Sequence, residues 1–192
     1  MNNSKNYNGF TLIEAIVTMA VTAILLSIAI PSFSKMIERN RITSATNEFI
    51  AAIMLTRSEA VTHTIPASIC TSDNGITCST TLDDYAKGWI IFSDCNMDGL
   101  ISTAKTNCDF NGDGNKDPDR IIKVHNGIKK LSILAGNTAT EDYFTYQISG
   151  RPNVLVGTTF RIGADPLNLR KKLTIALTGR VKLCTIGHTG CP

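Results

Sequence analysis

Features that mark enzymes are scarce in this sequence. Its 192 residues include one tryptophan and three histidines, and His63, His125 and His188 lie far apart. The sequence contains no phosphate-binding glycine loop, nucleophile elbow or zinc-protease helix motif, and no Cys-x-x-Cys pair. We therefore predict that the protein is not an enzyme and requires no cofactor, and that it is neither a zinc ribbon nor thioredoxin-like.

A strong excess of one charge is also absent, because the net charge is only +3. The distribution of charge is more informative. The stretch from Cys70 to Asp119 contains nine acids and three lysines, whereas the sequence from Arg151 onward contains seven bases and one acid, Asp165. The chain is therefore polarised, with an acidic middle and a basic end.

Cysteine is well represented and favours an oxidising compartment. The six cysteines are Cys70, Cys78, Cys95, Cys108, Cys184 and Cys191. Sequence alone allows fifteen pairings of six cysteines. We predict that each cysteine pairs with its nearest neighbour (70 with 78, 95 with 108, 184 with 191), because each bond would then close a local loop. The alternative is that some cysteines remain free thiols.

One long apolar run, Phe10 to Ile30, is about as long as a bilayer core is thick. An ordinary secretory signal has a shorter apolar region and a small-residue cleavage site after it. Here the small residue, Gly9, precedes the run. Cutting at Gly9 would remove a polar leader, residues 1–9, and leave a transmembrane segment, residues 10–30, on the mature protein.

Glu14 interrupts this apolar run. A carboxylate within a membrane span costs about 2.5–3.5 kcal/mol on insertion scales, so a partner is expected. The amine that cleavage would expose on Phe10 of a neighbouring subunit would serve. The alternative is a carboxylate that lies near the membrane surface and reaches water.

The segment from Gly9 to Glu14, Gly-Phe-Thr-Leu-Ile-Glu, resembles the class III signal of type IV pilins and type II secretion pseudopilins. The resemblance implies cleavage after Gly9 by prepilin peptidase, methylation of the Phe10 amine, and a role for Glu14 in docking into a growing filament. Pro31 matches the proline that kinks the first helix of many pilins. The implied location is the bacterial inner membrane, with a single span and a periplasmic head, and later a pilus or pseudopilus.

Residues 31–64 are predicted to continue the helix in amphipathic form. The apolar stripe has spacings of three and four and consists of Ile42, Ala45, Phe49, Ile53, Thr56 and Ala60. The charged residues around this stripe are predicted to face water, and they are Arg39, Arg41, Glu48, Arg57 and Glu59.

Short β-type segments follow Pro66 and are separated by Gly, Asn, Asp and Pro. The predicted strands are Ala67–Cys70, Trp89–Ser93, Ile121–Val124, Leu131–Leu134, Tyr143–Ile148, Thr158–Ile162, Leu173–Leu177 and Val181–Cys184. The fold class is therefore α+β. In the pilin fold that the resemblance implies, a long N-terminal helix packs on a mostly antiparallel β-sheet head, residues 65–192.

Three later segments resemble the GspH/FimT group (FimU-like) of minor pilins and pseudopilins. They are Thr56–Val61, Gly88–Asp94 and Lys172–Val181. The resemblance implies a minor pilin that takes part in pilus assembly or priming, with other pilins as partners. The alternative is a minor pseudopilin of a type II secretion system. An extra cysteine-bearing loop and a cysteine-containing tail depart from the group.

An acidic segment has the spacing of a calcium loop, with oxygen ligands at alternate positions around a glycine turn. Its candidate ligands are Asp109, Asn111, Asp113, Asn115 and Asp117. The twelfth position is Arg120, so the bidentate glutamate is missing, and Asp119 or a carboxylate of the 94–99 loop would have to replace it. The alternative is a pair of Asx-rich turns without metal.

The basic end is a candidate DNA site. Arg180 and Lys182 share one strand face, with Val181 and Leu183 predicted to point inward. A second basic group lies one hairpin arm away and consists of Arg170, Lys171 and Lys172. Such a patch suits DNA phosphates and would bind in a salt-dependent way.

The segment Gly179-Arg180-Val181-Lys182 resembles the Gly-Arg-x-Arg tail motif of FimT-like pilins, which implies DNA capture for natural transformation. Lys182 stands in place of the second arginine and lacks its bidentate geometry. DNA uptake is therefore a third hypothesis. The alternatives for this surface are a solvated strand face and a contact between subunits.

Overall fold

The computed structural model describes residues 10–104, 108–110, 112–136, 140–154, 157–164, 169–187 and 191, without the side chains of Pro31, Ser32 and Leu169. The leader with Gly9, the candidate ligand Asn111 and the side chain of Pro31 lie outside this description. The chain divides into two units, Met1–Arg41 and Ile42–Pro192, and each is described by itself.

One helix, α1, runs from Leu12 to His63. At its start the Thr11 carbonyl accepts from the Ala15 amide at 3.2 Å and the Thr11 hydroxyl accepts from the Glu14 amide at 3.3 Å. Thr11 is therefore the N-cap, and Glu14 occupies the acidic position of a capping box. After His63, Thr64 has a φ of 53° and Pro66 follows, so the helix ends there.

The first half of α1 is long and apolar enough to cross a membrane, by length and composition, with a mean hydropathy of 2.3 over an 18-residue window. Its large apolar side chains, from Leu12 to Ile30, are more than half exposed in the single chain. A helix that is apolar all round requires an apolar surrounding, such as lipid or other helices.

The described strands form two four-stranded antiparallel sheets. Sheet A has the order β3-β2-β1-β5 and contains β1 Ala67–Thr71, β2 Gly88–Ser93, β3 Ile121–Asn126 and β5 Tyr143–Tyr146. Sheet B has the order β4-β6-β7-β8 and contains β4 Ser132–Ala135, β6 Thr158–Gly163, β7 Leu169–Ile175 and β8 Val181–Thr185. A 3₁₀ turn, Tyr85–Lys87, precedes β2. The α+β class and the eight predicted strands are confirmed.

Most strand boundaries differ from prediction by one or two residues, and the differences at β5 and β7 have a clear structural cause. β5 ends at Tyr146, before Ile148, because a turn follows in which the Gly150 amide donates to the Gln147 carbonyl at 2.9 Å. β7 begins at Leu169, four residues earlier than predicted, and ends at Ile175. Its basic first half has no apolar alternation, but it is held as a strand because it pairs with β6 and β8 on both sides.

The core lies between α1 and both sheets. Every residue of the predicted stripe from Ile42 to Ala60 is buried, which confirms the helical face. Phe49 is central, with ring centroids 5.3 Å from Tyr85, 5.5 Å from Trp89 and 5.0 Å from Phe160. Because the whole main cluster falls between Ile42 and Ile175, the second unit, Ile42–Pro192, contains its own core.

Sheet A is buried on its second face as well. Cys70, Ile90 and Phe92 form a smaller cluster there, covered by Cys78, Ile101 and Tyr143. Disulfides hold the covering loops, since Cys70 is bonded to Cys78 and Cys95 to Cys108, with Cα separations of 5.6 and 5.5 Å. A third bond joins Cys184 to Cys191. These are the nearest-neighbour pairs expected from the sequence.

Candidate functional site

The described part of the N-terminal motif, from Phe10 to Glu14, forms the start and the first turn of α1. Phe10 is 79% exposed, and the Glu14 side chain is exposed as well. The carboxylate lies in the first turn of α1, where the positive end of the helix dipole favours negative charge. Cleavage at Gly9, methylation of Phe10 and pairing of Glu14 with a neighbour stay predictions.

Sheet B carries cations on its outer face. Phe160, Ile162, Leu173 and Ile175 point into the core, so the alternate residues of β6 and β7 point outward. Arg161 pairs with Lys172, which pairs with Cys184, and Thr174 pairs with Lys182. Arg180 extends this ladder, because its carbonyl accepts from the Ala176 amide at 2.9 Å.

We call this surface the basic face, and it consists of Arg161, Arg170, Lys172, Arg180 and Lys182. All but Lys172, which is half-buried, are exposed. The described positions of β6, β7 and β8 that alternate onto this face include no acid. The arrangement therefore presents five cations on one sheet surface, as a polyanion would require.

Lys171 does not belong to this surface, although the sequence groups it with its neighbours. It pairs with Ile162 and Thr185 on the opposite face, and its ammonium donates to the Thr185 hydroxyl at 3.0 Å. The predicted cluster of three consecutive bases is therefore wrong, because adjacent strand residues alternate. Arg161 was missed, yet its position between Phe160 and Ile162 in a predicted strand already placed it outward.

Two side chains differ from prediction in their exposure. Leu183 was predicted to point inward, and its pairing with the buried Leu173 puts it on the core face of sheet B. It is nevertheless 40% exposed, because β8 is the edge strand of sheet B among the described strands. Val181 is partly buried against the core, as expected. Arg57 was predicted to face water, but it is partly buried. Its guanidinium donates to the carbonyls of Thr178 at 3.2 Å and Gly179 at 3.3 Å.

The acidic loop is organised by its own backbone. Asp109 accepts from the amides of Gly112 at 2.7 Å and Gly114 at 2.9 Å. Asp113 accepts from the Asn115 amide at 2.7 Å, and Asp117 from the Phe110 amide at 2.9 Å. The bond from Asn115 to Asp113 is that of an Asx turn, the alternative considered from the sequence, and the other three bonds join residues that are further apart in the loop. Calcium stays a prediction, because a carboxylate has about four lone-pair sites and the amides that these carboxylates accept do not use them all.

The neighbouring loop is anchored by a buried carboxylate. Asp94 accepts from the Ser68 hydroxyl at 2.6 Å and from the amides of Gly99 at 3.0 Å and Asp98 at 3.2 Å. Burial raises the pKa of Asp94, although the hydrogen bonds from Ser68 and Gly99 oppose the shift. Its role in the structure is to fix the loop that leads into the Cys95–Cys108 bond.

The fold and this site define a class of protein, a pilin-like subunit in which an apolar, capped helix carries a β-sheet head. Residues 4–30 match the prokaryotic N-terminal methylation motif, and residues 45–179 match the family described as type II transport protein GspH. The chain belongs to the GspH family of minor pilins and pseudopilins.

Known relatives support this assignment. Two fimbrial proteins of Pseudomonas aeruginosa are each 34% identical over 108 residues, which are 53% of this chain and 69% of theirs. The crystal structure of the type IV minor pilin FimU from the same organism aligns with a TM-score of 0.52 at 22% identity, covering 77% of this chain and 90% of that chain. The fold is thus the pilin fold seen in FimU.

Proposed function

We propose that this protein is a minor pilin of a type IV pilus that helps to prime assembly. The observation that carries the proposal is the exposed apolar helix, which lies within the methylation-motif match and continues into a pilin head. The fimbrial relatives favour a pilus over the alternative, a minor pseudopilin of a type II secretion system. Its work is structural, and catalysis has no part in it.

In this proposal the inner membrane holds the precursor through residues 10–30, with the head in the periplasm. Prepilin peptidase cuts after Gly9, and the Phe10 amine is methylated. The helix then leaves the lipid for a bundle of pilin helices, where its apolar side chains remain buried. Glu14 pairs with the Phe10 amine of a neighbouring pilin, so its charge is matched in a water-poor interior.

Replacement of Glu14 by glutamine tests this mechanism. We expect E14Q precursor to be inserted and cleaved normally, as shown by the mass of its mature N-terminus, but to be missing from sheared filaments. Normal incorporation would contradict the pairing. Deletion of the protein then separates the two systems, because loss of surface pili indicates a pilin and loss of protein secretion a pseudopilin.

A second proposed function is DNA capture, and the five cations of the basic face favour it. We expect the double charge reversal of Arg180 and Lys182 to glutamate to abolish DNA retention by the full chain and to lower natural transformation. The matched control reverses Lys129 and Lys130, two exposed lysines of the head outside the basic face. Equal DNA retention by both variants would refute DNA capture on this face.

A further inference from the structure

Arg57 joins α1 to the tip of the β7–β8 hairpin. The tip is the turn 176–180, in which the Gly179 amide donates to the Ala176 carbonyl at 2.8 Å. The two terminal nitrogens of Arg57 bind successive carbonyls of this turn, those of Thr178 and Gly179. A planar guanidinium with five N–H donors suits two neighbouring acceptors better than an ammonium does.

A buried tyrosine also binds the tip. The Tyr146 hydroxyl donates to the Gly179 carbonyl at 3.5 Å, and burial raises the pKa of Tyr146 to about 12, so this hydroxyl keeps its proton at neutral pH. Gly179 has a φ of 79°, and a Cβ there would collide with the Gly150 carbonyl oxygen and lie 3.1 Å from Arg57 Cζ. Little space remains for the turn to shift toward the helix.

The described part of the chain gives the tip few other restraints. Its residues Ala176, Leu177, Thr178 and Arg180 are exposed, and among the described strands β8 has a neighbour on one side only. Arg180 follows directly on the carbonyl that Arg57 and Tyr146 both bind. The direction in which Arg180 leaves the turn therefore depends on how firmly that peptide group is held.

We propose that Arg57 is a positioning residue for the basic face: it holds the hairpin tip so that Arg180 lies beside Lys182, on the same face as Lys172, before an anionic ligand arrives. This inference rests on the proposed DNA capture. Arg57 acts through the Thr178 and Gly179 carbonyls, to which both of its terminal nitrogens donate. Loss of Arg57 therefore leaves the hairpin tip less ordered, whereas loss of Arg180 removes a charge that contacts a DNA phosphate.

Salt dependence distinguishes these two effects. Each phosphate contact contributes about 0.9 to the slope of log K against log salt concentration. Arg180→Ala should lower the slope by about that amount. Arg57→Met should weaken binding about 2- to 10-fold at every salt concentration, the range expected for ordering one long side chain, and leave the slope unchanged.

The experiment measures duplex DNA binding by the full chain in nonionic detergent across a salt series, for wild type, Arg57→Met, Arg57→Lys and Arg180→Ala. Arg41→Met is the matched control, because it removes an exposed arginine from the same helix. Hydrogen exchange at the amides of Ala176 and Gly179 is followed in parallel, with the Leu173 amide of β7 as the internal reference. Arg57→Lys should restore binding only in part.

The expected result is faster exchange at the two tip amides in Arg57→Met, unchanged exchange at Leu173, and weaker binding with the wild-type slope. A slope lowered by about 0.9 in Arg57→Met would mean that Arg57 itself contacts phosphate, and would overturn the proposal. So would tip exchange or affinity equal to that of Arg41→Met. If the wild type binds no DNA, DNA capture fails and the proposal for the basic face fails with it, while faster tip exchange would still show that Arg57 holds the hairpin.

Discussion

Two consecutive lysines, Lys171 and Lys172, are predicted to differ in their effect on DNA binding. Lys172 lies on the basic face between Arg161 and Cys184, whereas Lys171 lies on the opposite face with its ammonium bonded to Thr185. Changing either lysine to glutamine removes the same charge from neighbouring positions. Lys171→Gln and Lys172→Gln have the same composition and net charge, so a difference in their DNA binding reports only which face of sheet B each lysine occupies.

The magnitude follows from counterion release. One lost phosphate contact lowers the salt slope by about 0.9, so K(Lys172→Gln)/K(wild type) should be about 3.5-fold higher at 200 mM salt than at 50 mM. Lys171→Gln should leave the slope near the wild-type value. Its main effect should be on stability, because the variant loses the hydrogen bond from the Lys171 ammonium to Thr185, and a bond from a charged donor contributes at most about 3 kcal/mol.

The assay is fluorescence anisotropy of a short mixed-sequence duplex with the full chain in nonionic detergent, at four or more salt concentrations. Thermal unfolding of both variants shows whether each remains folded. If Lys171→Gln lowers the slope as much as Lys172→Gln, the DNA wraps around the edge strand and the argument from one face is wrong. If neither variant changes the slope, the basic face does not hold the DNA.

Three further predictions concern the head itself. Phe49→Ala should lower the free energy of unfolding by about 3–5 kcal/mol, because it leaves a cavity where α1 contacts both sheets. The control is Met54→Ala, at a 46% exposed position of the same helix. Denaturant unfolding should show a change of about 0.5 kcal/mol or less for this control. Replacing Cys70 and Cys78 by alanine opens a loop with a sequence separation of 8 and should lower the unfolding free energy by about 2.5 kcal/mol on the chain-entropy model. Burial raises the pKa of Asp94 in the folded state, so the folded protein holds this proton more tightly than the unfolded chain does. The resulting stabilisation is complete below the ordinary aspartate pKa, and it is lost as pH rises through the raised pKa. The difference in unfolding free energy between wild type and Asp94→Asn should therefore fall as pH rises, and a difference that is independent of pH would contradict the shift.

The features that the sequence predicts well are local and periodic. The stripe from Ile42 to Ala60 repeats every three or four residues, and all of its members are buried. Strands such as β2 and β6 are bounded by turn residues, and the disulfides close short loops, so each of these follows from a few neighbouring residues. In each case the physical cause lies within a short window of sequence.

The features that the sequence did not predict depend on distant partners. Arg57 has the appearance of a water-facing helix residue, and its true contacts lie 121 and 122 residues away. The run from Arg170 to Lys172 has no apolar alternation, so only pairing with β6 and β8 reveals it as a strand and separates Lys171 from its neighbours. Leu183 is exposed because of its place at the sheet edge, which no local pattern records.

The two sheets should respond differently to reduction of the disulfides, because apolar packing stabilises one and disulfide-bonded loops cover the other. Sheet B rests its inner face on the main core with α1, whereas the second face of sheet A is covered by polar loops that two disulfides hold. Reduction should therefore loosen the acidic loops first and leave the inner packing of sheet B in place. The third bond begins at Cys184, which pairs with Lys172 on the basic face. A loss of DNA binding on reduction would accordingly be traced to Cys184–Cys191, and the variant lacking only that bond would reproduce it.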